Sequence, residues 1–205
     1  MKKLLVYSLF ALSFCGCAHK ADFQIVKPLP CSVNLSQLTD ATVPAEFTTN
    51  DFNWTENKLR MTVYSEDLYD AVQISKLKTG DTIVYERKPI VVKKIENKDG
   101  FLTVNNGIEE GGANLQANQG GTYRAIQMDD HSIYTKQGQL DVPLAKDFTI
   151  IDCGEDFTDP SDTIRSSQKL YLENIKEYRR QFSCLDTKVR IENGKITNIT
   201  RRWIP

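Results

Sequence analysis

The sequence predicts a mainly β protein: a small antiparallel barrel or sandwich with one amphipathic α-helix and a C-terminal β-hairpin. Three observations carry this. Short apolar runs alternate with turn residues at intervals of about eight to twelve from Val33 onward. Ile164, Tyr171, Ile175, Tyr178 and Phe182 follow Asp159-Pro160-Ser161-Asp162 at helical spacing. Near the C-terminus, Asn193-Gly194 separates two further β-type runs.

In chain order, Val33 to Phe47 reads as a weak strand or two with a break at Pro44, and Asn53-Trp54 as a turn. Leu59, Met61 and Val63 alternate with Arg60, Thr62 and Tyr64, the period of a strand with one wet face. Thr79-Gly80-Asp81 turns into Ile83-Val84-Tyr85. Pro89 opens Ile90-Val91-Val92, and Asp99-Gly100 turns into Phe101 to Val104. Short strands follow at Tyr123–Met128, Ser132–Thr135 and Phe148–Asp152. The helix is expected over about 160–183, with Asp159 as cap, Pro160 at the first helical position, and Arg179 and Arg180 at the negative end of the dipole. Gln168 is the one polar residue on its apolar face. The hairpin spans about 187–203. Ile196 and Ile199 fall on opposite faces of an ideal strand, so either a bulge corrects the phase or the strand is buried on both sides.

The N-terminus has a different character. Met1-Lys2-Lys3 precedes an apolar run from Leu4 to Phe14, which is too short for a membrane span and has the build of a secretory signal. Phe14-Cys15-Gly16-Cys17 then resembles a loose lipobox of bacterial lipoproteins, and the resemblance covers only the first twenty residues. It implies cleavage before Cys17 and lipidation of that cysteine. Cys15 fits less well, since bulky Phe14 would sit beside the cut; a plain signal cleaved after Ala18 is the rival reading. Two or more acyl chains hold a protein on a membrane for practical purposes permanently, because burial adds about 0.8 kcal/mol per methylene. The expected organisation is a signal over 1–16, a tether over 17–32 with Pro28 and Pro30 disfavouring helix, and one domain over 33–205.

Cleavage before Cys17 removes 16 of 205 residues and leaves 189, enough for a substantial core. It removes two of the 26 basic side chains, so 24 face 27 acidic ones and the net charge is near −3. That balance excludes the basic stripe of nucleic-acid binders and makes the lipid anchor the expected membrane contact. Cys31, Cys153 and Cys184 remain; an exported protein permits one disulfide and one spare thiol, in a pairing that spacing leaves open. No CxxC is present and the histidines are His19 and His131 alone, so neither a zinc site nor another cofactor is expected.

Four stretches could carry chemistry. Asp129-Asp130-His131 offers a base beside acids, but chain neighbours usually point apart and no nucleophile elbow appears. Cys153 lacks the surroundings of reactive cysteines and reads as a buried or disulfide-bonded thiol. Asp152, Glu155, Asp156, Asp159 and Asp162 suit calcium chemically but lack calcium-loop spacing, and charge at a helix start explains them more simply. Glu109 to Tyr123 reads as a long amide-rich loop, in which Asn114, Gln116, Asn118, Gln119 and Tyr123 could hydrogen-bond sugar hydroxyls or peptide groups. A phosphate loop is excluded by the missing Lys-Ser or Lys-Thr. The expectation is a lipoprotein of the bacterial cell envelope, on its periplasmic or surface face. It would act as a non-catalytic binding or scaffolding module for cell-wall glycan or an envelope protein. The alternative is an envelope hydrolase using His131 with Asp130 or Cys153.

Overall fold

Alternation decides most of the local structure, and the strands it produces fall into three sheets. The computed structural model describes residues 22–154, 156, 159, 161–166 and 169–202. In chain order the strands are β1 (Ile25–Val26), β2 (Ala41–Thr48), β3 (Phe52–Asn53), β4 (Lys58–Glu66) and β5 (Leu68–Asp70), followed by a short helix α1 (Ala71–Ser75). Next come β6 (Thr82–Tyr85), β7 (Lys88–Val91), β8 (Ile95–Lys98), β9 (Phe101–Val104), β10 (Ala113–Asn118), β11 (Thr122–Ala125) and the 20-residue β12 (Tyr134–Cys153). The chain ends with β13 (Thr163–Ser166), a second helix α2 (Lys169–Asn174), β14 (Gln181–Phe182), β15 (Thr187–Glu192) and β16 (Lys195–Arg201). The architecture is mainly β and sandwich-like, as expected. Among the described residues no helix is long and apolar enough to cross a membrane.

The length of β12 organises the largest sheet. Its first half, Tyr134 to Pro143, pairs antiparallel with β4, and its second half, Leu144 to Ile151, runs parallel to β16. The pairings lead from β12 through β16, β15, β2 and β4 back to β12. Alternate residues of these strands point inward, among them Val43, Leu59, Val63, Ile150, Val189 and Ile199, and build one apolar cluster. A second cluster lies under the five-stranded sheet β5-β11-β10-β9-β8 and the three-stranded sheet β1-β6-β7, with Ile74 of α1 packed into it.

The C-terminal hairpin forms as expected, with Asn193 at φ 51° and Gly194 at φ 72°, the left-handed pair that a tight β-turn requires. The phase question at its second strand resolves as a bulge. Ile191 faces Ile196, but Arg190 faces Asn198, so Thr197 is the extra residue and both isoleucines reach the core. Among the described residues the buried Thr197 hydroxyl has no hydrogen-bond partner.

Three expectations need correction. The helix over 160–183 is mostly something else. Thr163–Ser166 is a strand against the end of β12, α2 covers Lys169–Asn174 among the described residues, and Phe182 belongs to β14, which pairs with β2. Helical spacing of the apolar residues lost to the open edge of β12 and to Phe47, on whose ring Phe182 stacks at 4.6 Å. Tyr178, expected on the buried face, is 68 % exposed. Asp159 therefore caps no helix; its carboxylate accepts from Ser161 N and Oγ in a turn before β13. Pro160, Glu155 and Gln168 lie outside the described residues.

The expected loop from Glu109 to Tyr123 is the second correction. Ala113–Asn118 is β10, a strand with a partner on either side, whose Ala113 and Leu115 are fully buried. Ala113, Leu115 and Ala117 alternate with amides, but Ala117 is exposed and Ala113 is small, so Leu115 is the one large buried residue and no apolar run registers. Gly112 is needed for the approach to β9: a Cβ there would sit 1.9 Å from the Val104 carbonyl oxygen. The third concerns the tether expected over 17–32. Its described part, residues 22–32, is tied down by Gln24, whose backbone and side-chain amides bond Asp81, and by Val26, which is buried beside β6.

Candidate functional site

Two places gather side chains with chemical potential. The first is buried. Asp152, near the end of β12, is fully enclosed, and every direction around its carboxylate is filled by a donor. Arg201 of β16 binds it through both Nε and Nη2 at 2.6 Å, the Tyr171 hydroxyl of α2 donates at 2.6 Å, and Arg179 Nη2 lies at 3.3 Å. Arg201 also donates to the carbonyls of Arg179 and Gln181 and stacks 4.1 Å over the Phe182 ring. Arg179, expected at the negative end of a helix dipole, is turned inward, where it also bonds the Cys153 and Gly154 carbonyls. Burial disfavours the Asp152 charge, but the hydrogen bonds from Arg201 and Tyr171 and the two guanidinium charges outweigh it and hold the carboxyl below its ordinary value. A carboxylate so saturated has no lone pair to offer a substrate. The cluster fastens the end of β12 to β16 and to the 169–182 segment.

The second place is an open groove of about 690 Å³. The sequence from Thr48 to Asn57 builds its wall. Thr48 N and Oγ1 both donate to Asp51, closing a helical turn, and Asn53 accepts from Glu56 N to close the next one. Asn57, in the left-handed region, ties this turn to β12 through the Leu144 carbonyl. Phe52 is buried and Trp54 half-buried above it, the rings parallel within 10° and 5.0 Å apart. Lys169 Nζ stands 5.6 Å from the Trp54 ring centroid. The floor is the β4–β12 pair, where Arg60 opposes Asp141 and grips it with two bonds of 2.8 and 3.2 Å.

The groove is polar and electrically balanced. Asp51, Glu56 and Asp141 match Lys58, Arg60 and Lys169 in number. Lys58 pairs with Glu56 at 3.1 Å and Lys169 with Glu173 at 3.3 Å. The lining therefore carries no net charge to select an ion. What it offers is the exposed amide of Asn50, the Thr55 hydroxyl, carboxylate oxygens with spare lone pairs and one indole. Those groups suit a neutral ligand rich in hydroxyls or amides.

The residues singled out from sequence are elsewhere. Asn114, Gln116 and Asn118 lie in β10, Tyr123 in β11 and Gln119 in the turn between them, so they share one hairpin rather than a loop. Gln116 is already engaged, accepting from Arg124 Nε at 3.0 Å. His131 sits 3.6 Å from Asp129, not Asp130, whose backbone is in the left-handed region. It lies just before β12, and Cys153 is the last residue of that strand, so the two occupy opposite ends of a 20-residue element. Cys31, Cys153 and Cys184 are free thiols, each half-buried. Burial pushes the Cys184 thiol up to about 11 and raises that of Cys153, which also feels Asp152. Asp156 N donates to the Asp162 carboxylate at 3.0 Å, and among the described residues no group of three or more His, Cys, Asp or Glu side chains could hold a metal. Cys15 and Cys17 lie outside the described residues. Trp54, Arg60 and Asp141 were not marked by any sequence motif. The available signal was a tryptophan in the polar run Asn50-Asp51-Phe52-Asn53-Trp54-Thr55-Glu56-Asn57, where burial alone gives little reason for one.

Compared with known proteins, the chain matches no family model, no curated protein and no solved structure.

Proposed function

We propose that the chain is a lipoprotein anchored in a bacterial envelope through Cys17, whose folded part binds a hydroxyl-rich glycan of the cell wall without transforming it. The observation that carries the binding reading is the half-buried Trp54 ring at the wall of a charge-balanced polar groove. An indole offers a flat apolar surface to the C–H face of a sugar, and the surrounding amides and carboxylates suit its hydroxyls. The ion-paired side chains of the groove are already positioned, which lowers the entropy cost of binding. The anchor reading rests on the lipobox-like Phe14-Cys15-Gly16-Cys17.

The two readings have separate tests. Purified peptidoglycan and its soluble fragments should retain the protein, and Trp54→Ala should weaken this by roughly tenfold, the equivalent of about 1.4 kcal/mol. Undiminished retention by a folded Trp54→Ala variant would remove the groove from the function. Retention of an envelope protein in place of glycan would redirect the proposal to a protein partner. For the anchor, intact mass should show an acylated N-terminus at Cys17, and Cys17→Ser should release the protein from the membrane or leave it unprocessed. An unmodified N-terminus at His19 would show plain secretion instead.

A further inference from the structure

The three-stranded sheet β1-β6-β7 has an inner face and an outer face. Val26, Ile83 and Ile90 are paired across the strands and point into the second core. The next row in register is Ile25, Thr82 and Val91, which therefore share the opposite face. Ile25 is 64 % exposed and Val91 55 %. Val84 and Pro89 form the following row on the same face. Phe23, 59 % exposed, extends the patch at the β1 end, its ring held against Gly80, where a Cβ would stand 2.1 Å from Phe23 Cε1. A sheet face of this kind is normally covered.

Two observations say by what. Over residues 76–98 seven basic side chains face three acidic ones, a local excess of four in a mature chain whose net charge is near −3. Lys27 and Lys93 each stand two positions after an outer-face residue, Ile25 and Val91, with buried Val26 and Val92 between, and both are exposed. An apolar patch flanked by lysines complements an anionic lipid surface. The second observation is distance. Phe23 is six residues after Cys17, and six residues span at most about 20 Å. If Cys17 carries the anchor, this face cannot leave the neighbourhood of the bilayer. A second copy added to the edge of β7 is disfavoured, because Pro89 removes an N–H from that edge.

We propose that the outer face of β1-β6-β7 docks on the anionic membrane to which the chain is tethered, with Phe23, Ile25 and Val91 entering the headgroup layer. The proposal rests on the Cys17 anchor described above. Docking would fix the orientation of the domain on the membrane, so that the lipid would act as a hold and the sheet as a foot.

The test uses the mature chain as bacterial cells make it, mixed with vesicles of phosphatidylcholine and phosphatidylglycerol containing brominated acyl chains. A tryptophan introduced by Val91→Trp, or independently by Ile25→Trp, should shift to the blue and lose roughly half or more of its added emission, as expected for a ring at the headgroup–acyl boundary. Lys27→Glu with Lys93→Glu should reverse both effects. A lipidated protein whose added tryptophan behaves as in water overturns the docking face and leaves the anchor standing. A protein without lipid by mass overturns the anchor, and quenching in the same vesicles still decides the face: present, it stands; absent, it falls. Val91→Lys converting a lipid-free dimer to a monomer would assign the face to a second copy and overturn the proposal.

Discussion

Replacing Asp152 by Asn should destabilise the protein more than any change in the exposed groove. The substitution keeps shape and one acceptor oxygen but removes the charge that two guanidinium groups share. Arg201 and Arg179 are only 5 % and 7 % exposed, so water cannot replace the lost partner. Removing one member of a buried pair costs about 3–5 kcal/mol, chiefly because the other charge is left uncompensated. Asn retains some hydrogen bonding, which favours the lower end, and about 3 kcal/mol in a chain of this size corresponds to a melting temperature lower by about 6–12 °C. The pH dependence distinguishes this mechanism from lost packing. The folded Asp152 carboxyl titrates below its unfolded value of about 3.9, so its contribution is present above that pH and is lost as the pH falls through the folded value. Thermal melts by circular dichroism should therefore show a gap between wild type and variant at neutral pH that closes on the acid side. A gap under about 1 kcal/mol at neutral pH, or one unchanged through the acid limb, would refute the claim that charge burial holds this corner together.

Two backbone predictions test the corrected fold. Gly112→Ala must push β10 away from the Val104 carbonyl and should cost about 1–3 kcal/mol in chemical denaturation; a neutral result would mean the two strands are not so close. Gly194→Ala meets no side chain and should cost only the left-handed backbone, about 1 kcal/mol, with Gly194→Asn costing less. Equal losses for Ala and Asn would argue against the tight turn at 193–194.

The helix expected over 160–183 shows where local reading stops. Asp-Pro-Ser-Asp and the spacing of Tyr171, Ile175 and Tyr178 are sound helix signals. They prevail only over Lys169–Asn174, where nothing else competes. On either side the chain finds better partners: Thr163–Ser166 satisfies the ladder of β12, and Phe182 fills the core beside Phe47. The reverse occurred at β10. Its amides suggested a loop, yet alternate positions were small enough to lie inside a sheet that β9 and β11 were already building.

By itself the sequence determined what depends on near neighbours. The signal-like N-terminus, the alternation of β4, the turns at Asp99-Gly100 and Asn193-Gly194 and the mainly β class are all written within a few residues. The bulge at Thr197 was legible as a choice between two outcomes, since two isoleucines could not both point inward without one. Only the tertiary structure decided the rest. Arg60 meets Asp141 across 81 residues, and Arg201 meets Asp152 across 49. Neither carboxylate differs in sequence from the many exposed ones. Which acid is buried, which tryptophan lines a groove and which sheet face is left uncovered follow from strand order, and strand order is set by the burial of many distant side chains together.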